Sequence, residues 1–203
     1  EKGGDPIMNA GLRAAIDRAR AVSMPKDNID RAVHKGVGGS GEGQIESLMY
    51  EAYAPGGTAL IIECLTDNRN RSANDVKHLL TKNEASLAGS GSVTYLFDHL
   101  GIVRFNAKIP ADRHDELELA FIDAGAINIV EEEDVTEIQS ATQDLAKVSD
   151  AVTKASFQPD TVEFQWLPKN LVETDEETGI KVAELIEQLE EHDDVSRVFS
   201  NLA

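Results

Sequence analysis

The sequence predicts an α+β protein in which an N-terminal helical domain is followed by two α/β domains of the ferredoxin-like β-α-β-β-α-β type, with the third domain inserted in the second. Three observations support this prediction. Helical periodicity fills residues 9–35. Apolar segments of strand length then alternate with amphipathic helices up to residue 167. A last helix and strand, at 178–191 and 195–199, remain to complete an earlier sheet.

The first two predicted helices form the N-terminal domain. Asn9 is a suitable N-cap for a helix over residues 9–23, because apolar side chains then recur on one face, at Leu12, Ala15, Ile16, Ala19 and Val22. Pro25 can begin the second helix, which reaches about residue 35 and ends at Gly36. The Gly- and Ser-rich segment 36–43 predicts a linker.

The second domain begins with two strands in residues 45–65, joined by a turn at 54–57. A polar loop then leads into a helix over 72–82, where Ser72 and Asp75 have the spacing of a capping box. A Gly/Ser loop at 88–92 precedes a predicted strand over 93–97.

The third domain has the order of a split βαβ unit. A strand at 101–105, a helix at 112–123, two strands within 127–139, a helix at 145–155 and a strand at 161–167 follow one another. We expect the tail to return to the first sheet. The predicted domains are therefore residues 1–40, residues 44–99 with 168–203, and the inserted residues 100–167.

Composition narrows the class of protein. Hydrophobic residues make up 41% of the 203 residues, and no apolar run approaches the ~20 residues that cross a bilayer, so no membrane contact is expected. Cys64 is the single cysteine, which excludes an internal disulfide, and its apolar surroundings predict a buried thiol. These features favour a reducing, cytoplasmic compartment.

Charge is distributed unevenly along the chain. Residues 1–40 hold seven Lys/Arg against five Asp/Glu, whereas residues 41–203 hold twelve against thirty-two. We predict that the cations of the two helices contact nucleic-acid phosphates: Arg13, Arg18, Arg20, Lys26, Arg31 and Lys35. The alternative is that they form the solvated outer face of an amphipathic hairpin, since Asp17, Asp27 and Asp30 dilute the positive charge.

A second candidate site is the segment TDNRNRS at residues 66–72, between an apolar strand and a helix. Arg69 and Arg71 lie beside amide side chains and helix N–H groups, which together favour a bound anion such as phosphate. Alternatively, the two arginines pair with Asp67, Asp75 or another acidic neighbour and shape the loop. The two arginines need not have the same role.

The sequence gives little support for a metal site, a nucleotide-binding loop or a catalytic nucleophile. The histidines are scattered and have no metal-type spacing with Cys or with each other: His34, His78, His99, His114 and His192. Neither a Walker or Rossmann phosphate loop nor a nucleophile elbow is present. We therefore predict no cofactor, no metal and no enzymatic activity.

Several motifs together resemble one family, the YebC/PmpR family. They are LRAAID at 12–17, MPKDNI at 24–29, YEAYAPGG at 50–57, ECLTDNRNR at 63–71 and GSVTYLF at 91–97. The motifs occur in order within residues 3–97, and the remainder matches in layout. The resemblance implies three domains, no enzymatic activity, and an upstream basic arm that the given sequence lacks.

The resemblance also implies a function in gene expression. Members of this family are described as transcriptional regulators, and mitochondrial relatives are translational activators for a cytochrome oxidase subunit. The expected partner is therefore DNA, or ribosomal RNA and the ribosome. Protein partners could meet the acidic α/β domains. We predict a cytoplasmic protein of bacterial type, with a mitochondrial relative as the alternative.

Overall fold

The computed structural model describes the backbone of residues 4–6, 9–21, 23–37 and 45–203, without the side chains of residues 10, 14, 17, 18, 21 and 35. The described residues form six α-helices: α1 (Ala10–Ala21), α2 (Lys26–Gly36), α3 (Arg69–Lys82), α4 (His114–Asp123), α5 (Leu145–Lys154) and α6 (Glu176–Glu190). They also form eight strands: β1 (Glu46–Tyr53), β2 (Ala59–Thr66), β3 (Ser86–Ala88), β4 (Phe97–Phe105), β5 (Ala126–Glu132), β6 (Val135–Ala141), β7 (Thr161–Pro168) and β8 (Val195–Ser200). The α+β class is confirmed.

The chain divides into two compact units. One comprises Glu1–Asp30 with His99–Gln165, and the other comprises Arg31–Asp98 with Trp166–Ala203. Each unit contains most of one four-stranded antiparallel sheet. The finer division into three domains with the boundaries given above stays a prediction.

The first sheet has the strand order β3-β1-β2-β8. Strand β8 pairs antiparallel with β2, so the end of the chain returns to this sheet. Leu60, Ile62 and Cys64 alternate along β2 toward a core that also contains side chains from α3 and α6. Ala59 and Ile61 face the other side, where Val93 and Phe97 cover them, so β2 is buried on both faces.

Cys64 lies in this core, as its apolar neighbours predict. Burial raises the pKa of the thiol to about 11, and the nearby carboxylates of Asp194 and Glu63 act in the same direction. A thiol with so high a pKa stays protonated at neutral pH and behaves as a small apolar side chain.

The second sheet has the order β5-β6-β4-β7, in which β6 lies between the two strands that α4 connects. This is the split βαβ arrangement that the sequence predicts. Helices α4 and α5 pack on one face through Leu117, Phe121, Val148 and Val152. The stacked rings of Phe105 and Phe157 lie in the same core, with centroids 4.5 Å apart.

One predicted strand in the second domain is wrong, and one short strand there was not predicted. The predicted strand over 93–97 is a 3₁₀ turn at Thr94–Leu96, and β4 begins only at Phe97. The reason is that the Glu51 carboxylate accepts hydrogen bonds from the backbone N–H groups of Val93 and Thr94, which bends the chain there. The short strand β3, which pairs with β1, was also not predicted.

The remaining boundaries agree with the sequence patterns within a few residues, except for the start of α3, described below. Asn9 caps α1 as predicted, because its side chain accepts the Leu12 N–H at 3.1 Å. The predicted linker over 36–43 lies mostly outside the described residues. Among the described helices, none is long and apolar enough to cross a membrane.

Candidate nucleic-acid interface

Helices α1 and α2 turn their described cations toward solvent. Arg13 and Arg20 are exposed on α1, and Lys26 and Arg31 are exposed on α2. The apolar side chains Ile16 and Ile29 are buried on the same two helices. The amphipathic pattern therefore presents basic groups on the outer surface. Arg18 lies in α1 and Lys35 in α2, and their side chains lie outside the described residues.

The segment with the two other arginines is helical where the sequence predicted an extended loop. Helix α3 begins at Arg69, three residues earlier than predicted. Its N-cap is Asn68, whose side chain accepts the Arg71 N–H at 3.1 Å, so the predicted cap at Ser72 is wrong. Because successive helical residues turn by about 100°, Arg69 and Arg71 leave the first turn on nearly opposite sides.

Arg71 is engaged by two carboxylates. Its Nη2 atom lies 2.9 Å from Asp194 Oδ1 and 3.1 Å from Asp67 Oδ1, and its Nε atom donates to Asp194 Oδ2 at 3.3 Å. The hydrogen bonds and charge of Asp194 raise the pKa of the guanidinium. Arg71 therefore pairs with acidic neighbours and shapes the loop, which was the alternative to anion binding. Asp67 is one of the partners expected for it. Asp75, the other partner considered, instead pairs with His192 at 3.4 Å.

Asp194 is the centre of a buried polar network. Its Oδ2 atom accepts hydrogen bonds from the hydroxyls of Ser72 at 2.6 Å and Thr66 at 3.2 Å. Burial opposes ionisation of the carboxyl, but the hydrogen bonds from Ser72, Arg71 and Thr66 outweigh it, and the pKa of Asp194 lies below its ordinary value. Thr66 in turn accepts the Asn68 N–H at 2.9 Å. The network thus holds residues on both sides of Arg69.

Arg69 differs from Arg71 in its surroundings. Its side chain is exposed, and within the described ranges it makes no hydrogen bond or ion pair. Its neighbours Asn68 and Asn70 are uncharged, and the residues three and four positions further along the helix are Ser72 and Ala73. Arg69 therefore presents a positive charge that no carboxylate on its own helix face offsets.

An open cleft of about 580 Å³ lies on the second sheet. It is lined by Arg104, Asn106, Val130, Glu132, Glu133, Val135, Glu137 and Asp160. The single guanidinium, of Arg104, is already paired with Glu137. Four carboxylates around one neutralised cation repel phosphate, so this cleft does not suit a nucleic-acid backbone.

One group of side chains has the residue types of a metal site. Oxygen or nitrogen atoms of His114, Asp115 and Glu118 lie within 4.8 Å of one another, at the start of α4. The other ring nitrogen of His114, Nε2, lies 2.8 Å from Glu131 Oε1. Acidic side chains in the first turn of a helix also interact with its dipole and with a nearby imidazole, so the arrangement is explained without a metal. Sequence spacing did not reveal it.

The comparisons with known proteins agree with these motifs and this fold. A family model described as the TACO1/YebC protein N-terminal domain matches residues 1–39, and one described as the TACO1/YebC second and third domain matches residues 45–202. The chain belongs to the TACO1/YebC family. The resemblance found in the sequence motifs is thereby confirmed.

Two TACO1/YebC relatives carry the name "Probable transcriptional regulatory protein". One, from Thermoanaerobacter pseudethanolicus, is 41% identical over 202 residues, which cover 100% of this chain and 82% of the relative. The other, from Serratia proteamaculans, is 42% identical over 200 residues, covering 98% of this chain and 80% of the relative.

A solved structure supports the fold. The crystal structure of a conserved hypothetical protein from Aquifex aeolicus matches with a TM-score of 0.87 and 37% identity. The match covers 100% of this chain and 83% of that chain. The predicted site residues are not tested by these likenesses, so the nucleic-acid role of the eight cations stays a prediction.

Proposed function

We propose that this member of the TACO1/YebC family is a non-enzymatic, cytoplasmic regulator of gene expression that binds nucleic acid, and that it acts as a DNA-binding transcriptional regulator. The names of the two curated relatives support a regulatory role. Contact with nucleic acid is proposed through the exposed cations of α1 and α2.

One observation carries this proposal. The described cations of α1 and α2 face solvent, in a chain whose formal net charge is −18. A phosphate backbone approaching the acidic α/β part of the chain would be repelled, whereas these helices offer positive charge. The acidic part is then available for protein partners or for solvent.

A ribosome-associated translation factor is the second candidate. The observation that favours it is the kind of side chain exposed on α1 and α2, where Arg13, Arg20, Lys26 and Arg31 are suited to phosphates. Phosphate contacts position a protein without reading bases, and structured RNA is often recognised by its shape and backbone.

The test compares duplex DNA with ribosomes at about 50 and 200 mM salt, a range over which phosphate contacts weaken strongly. The double variant Arg13→Glu/Arg20→Glu should weaken binding. It should also make the slope of log affinity against log salt less steep by up to about two. The matched control is Lys108→Glu/Lys154→Glu, which changes the net charge equally at two exposed positions. The control should bind almost as the wild type does.

The outcomes separate the candidates. Sequence-dependent affinity for duplex DNA supports the transcriptional regulator, while cosedimentation with ribosomal subunits and indifference to DNA sequence support the translation factor. Equal weakening in both double variants would mean that net charge, and not the surface of α1 and α2, controls binding. If the wild type binds neither target, the proposal is wrong.

A further inference from the structure

We propose that the two arginines in the first turn of α3 have different roles: Arg69 contacts a backbone phosphate, whereas Arg71 and Asp194 are positioning residues that hold Arg69 in place. This inference rests on the proposed function, because it names a phosphate contact for a nucleic-acid ligand. It assigns to Asp194 a function in binding that no motif of the sequence indicates.

Two carboxylates offset the positive charge of the Arg71 guanidinium. Asp194 and Asp67 bring two negative charges to one guanidinium, at distances of 2.9 and 3.1 Å. A phosphate at Arg71 would have to displace a carboxylate that is itself buried and held by two hydroxyls. Arg71 is therefore committed to the protein's own structure.

The same contacts fix the backbone on both sides of Arg69. Ahead of it, Asp194 binds the Thr66 hydroxyl, which accepts the Asn68 N–H. After it, Asn68 caps the Arg71 N–H, and Ser72 donates to Asp194. The Asp194 carbonyl also accepts the Leu65 N–H at 2.8 Å. Residues 65–72 are thus attached to one loop, the one before β8.

Arg69 is the cation that this arrangement presents. Its guanidinium is exposed and has no ion-pair partner within the described part of the chain. A long flexible side chain on a fixed backbone loses less freedom on binding than one on a mobile loop, so the network raises the affinity for phosphate. An arginine suits this role because its planar donors match phosphate oxygens.

The test is a double-mutant cycle. Its readout is the salt dependence of nucleic-acid binding, and its probe is duplex DNA or ribosomal RNA, whichever the wild type binds. Arg69→Ala should make the slope of log affinity against log salt less steep by about one and should leave the melting temperature unchanged. Arg69→Lys should restore the slope. Arg71→Gln/Asp194→Asn, which keeps the net charge, should lower the melting temperature and leave the loss caused by Arg69→Ala much smaller than in the wild type.

The possible failures are distinct. An unchanged slope in Arg69→Ala, beside a reduced slope in Arg13→Glu/Arg20→Glu, overturns this inference and leaves the proposed function standing. If Arg69→Ala changes the slope as much in the Arg71→Gln/Asp194→Asn background as in the wild type, only the positioning role of Arg71 and Asp194 is overturned. If that double variant does not fold, Arg71→Gln alone replaces it, and a full Arg69→Ala effect in the Arg71→Gln background would likewise overturn the positioning role. Absence of any salt-dependent binding by the wild type overturns the proposed function and this inference together.

Discussion

The Glu51 carboxylate accepts a 2.7 Å hydrogen bond from the backbone N–H of Val93, 42 residues further along the chain. The same carboxylate accepts the N–H groups of Gly91 at 2.6 Å and Thr94 at 3.0 Å. Burial opposes ionisation of Glu51, but the N–H groups of Val93, Gly91, Thr94 and Ser92 outweigh it, and the pKa of the carboxyl lies below its ordinary value of 4.5. One buried charge therefore organises the whole turn before β4.

Glu51→Gln should destabilise the protein by about 2 kcal/mol at pH 7, because a charged acceptor is lost and an amide donor faces backbone donors. The folded pKa of Glu51 is depressed, so its stabilisation is fully present above pH 4.5 and disappears as the pH falls through the folded pKa. Urea denaturation should show the gap between wild type and variant narrowing toward low pH. Glu46→Gln, at an exposed position of the same strand, is the control. A gap that stays constant with pH would contradict this account.

Gly56→Ala should destabilise the protein more than Gly57→Ala. Both glycines have left-handed φ angles, 73° and 79°, and each alanine therefore costs about 1–2 kcal/mol of backbone strain. A Cβ at Gly56 would also lie 2.6 Å from Thr174 Cγ2 and 2.9 Å from Thr178 Cγ2, whereas at Gly57 it meets nothing within 4 Å. The overlap adds about 1–3 kcal/mol. Thermal denaturation of the two variants measures the difference, and equal losses would show that the overlap relaxes.

Ser156→Gly should stabilise the protein by about 0.5–1 kcal/mol. Helix α5 ends in a Schellman motif, in which the Phe157 N–H donates to Val152 O and Ser156 has φ of 72°. Glycine adopts this conformation without strain. Ser149→Gly, the same substitution inside α5, should instead destabilise by about 0.5–1 kcal/mol, because glycine is a poor helix former. The opposite signs of the two changes, measured by chemical denaturation, are the test.

Much of the fold could be predicted because its signals are local. Helix α5 shows apolar residues at helical spacing, with Leu145, Val148 and Val152 all buried. Strand β2 is a short apolar run that ends at a polar segment. Such elements are specified by their own residues, so the order β-α-β-β-α-β followed from the sequence.

The errors occur where a distant residue determines the local conformation. The segment before β4 has a strand-like sequence, but the Glu51 carboxylate accepts hydrogen bonds from its N–H groups, and the segment forms a turn. Ser72 has the composition of an N-cap, but its hydroxyl donates to Asp194, 122 residues away. Asn68 caps α3 instead, and the helix begins earlier.

The sequence predicted some residues of the candidate site but not their tertiary partner. The basic character of Arg69 and Arg71 is visible in the sequence, and so is one acidic neighbour, Asp67. Nothing local indicates Asp194, which meets Arg71 across 123 residues of chain. The different surroundings of the two arginines therefore follow from tertiary structure and could not be read from their spacing.

The imidazole of His114 lies 2.8 Å from the Glu131 carboxylate, and this contact controls its protonation. The hydrogen bond to Glu131 raises the pKa of the imidazole, burial partly opposes it, and the charges of Glu131, Glu118 and Asp115 add to the increase. Because the folded pKa lies above the ordinary 6.5, the stabilisation is fully present below pH 6.5 and is lost as the pH rises through the folded pKa. An NMR titration should give a lower His114 pKa in Glu131→Gln than in the wild type. Glu132→Gln is the matched control, since neighbouring strand residues point to opposite faces and Glu132 lines the cleft instead. If both variants shifted the His114 pKa equally, the general acidity of β5 would be the cause and not the 2.8 Å contact with Glu131.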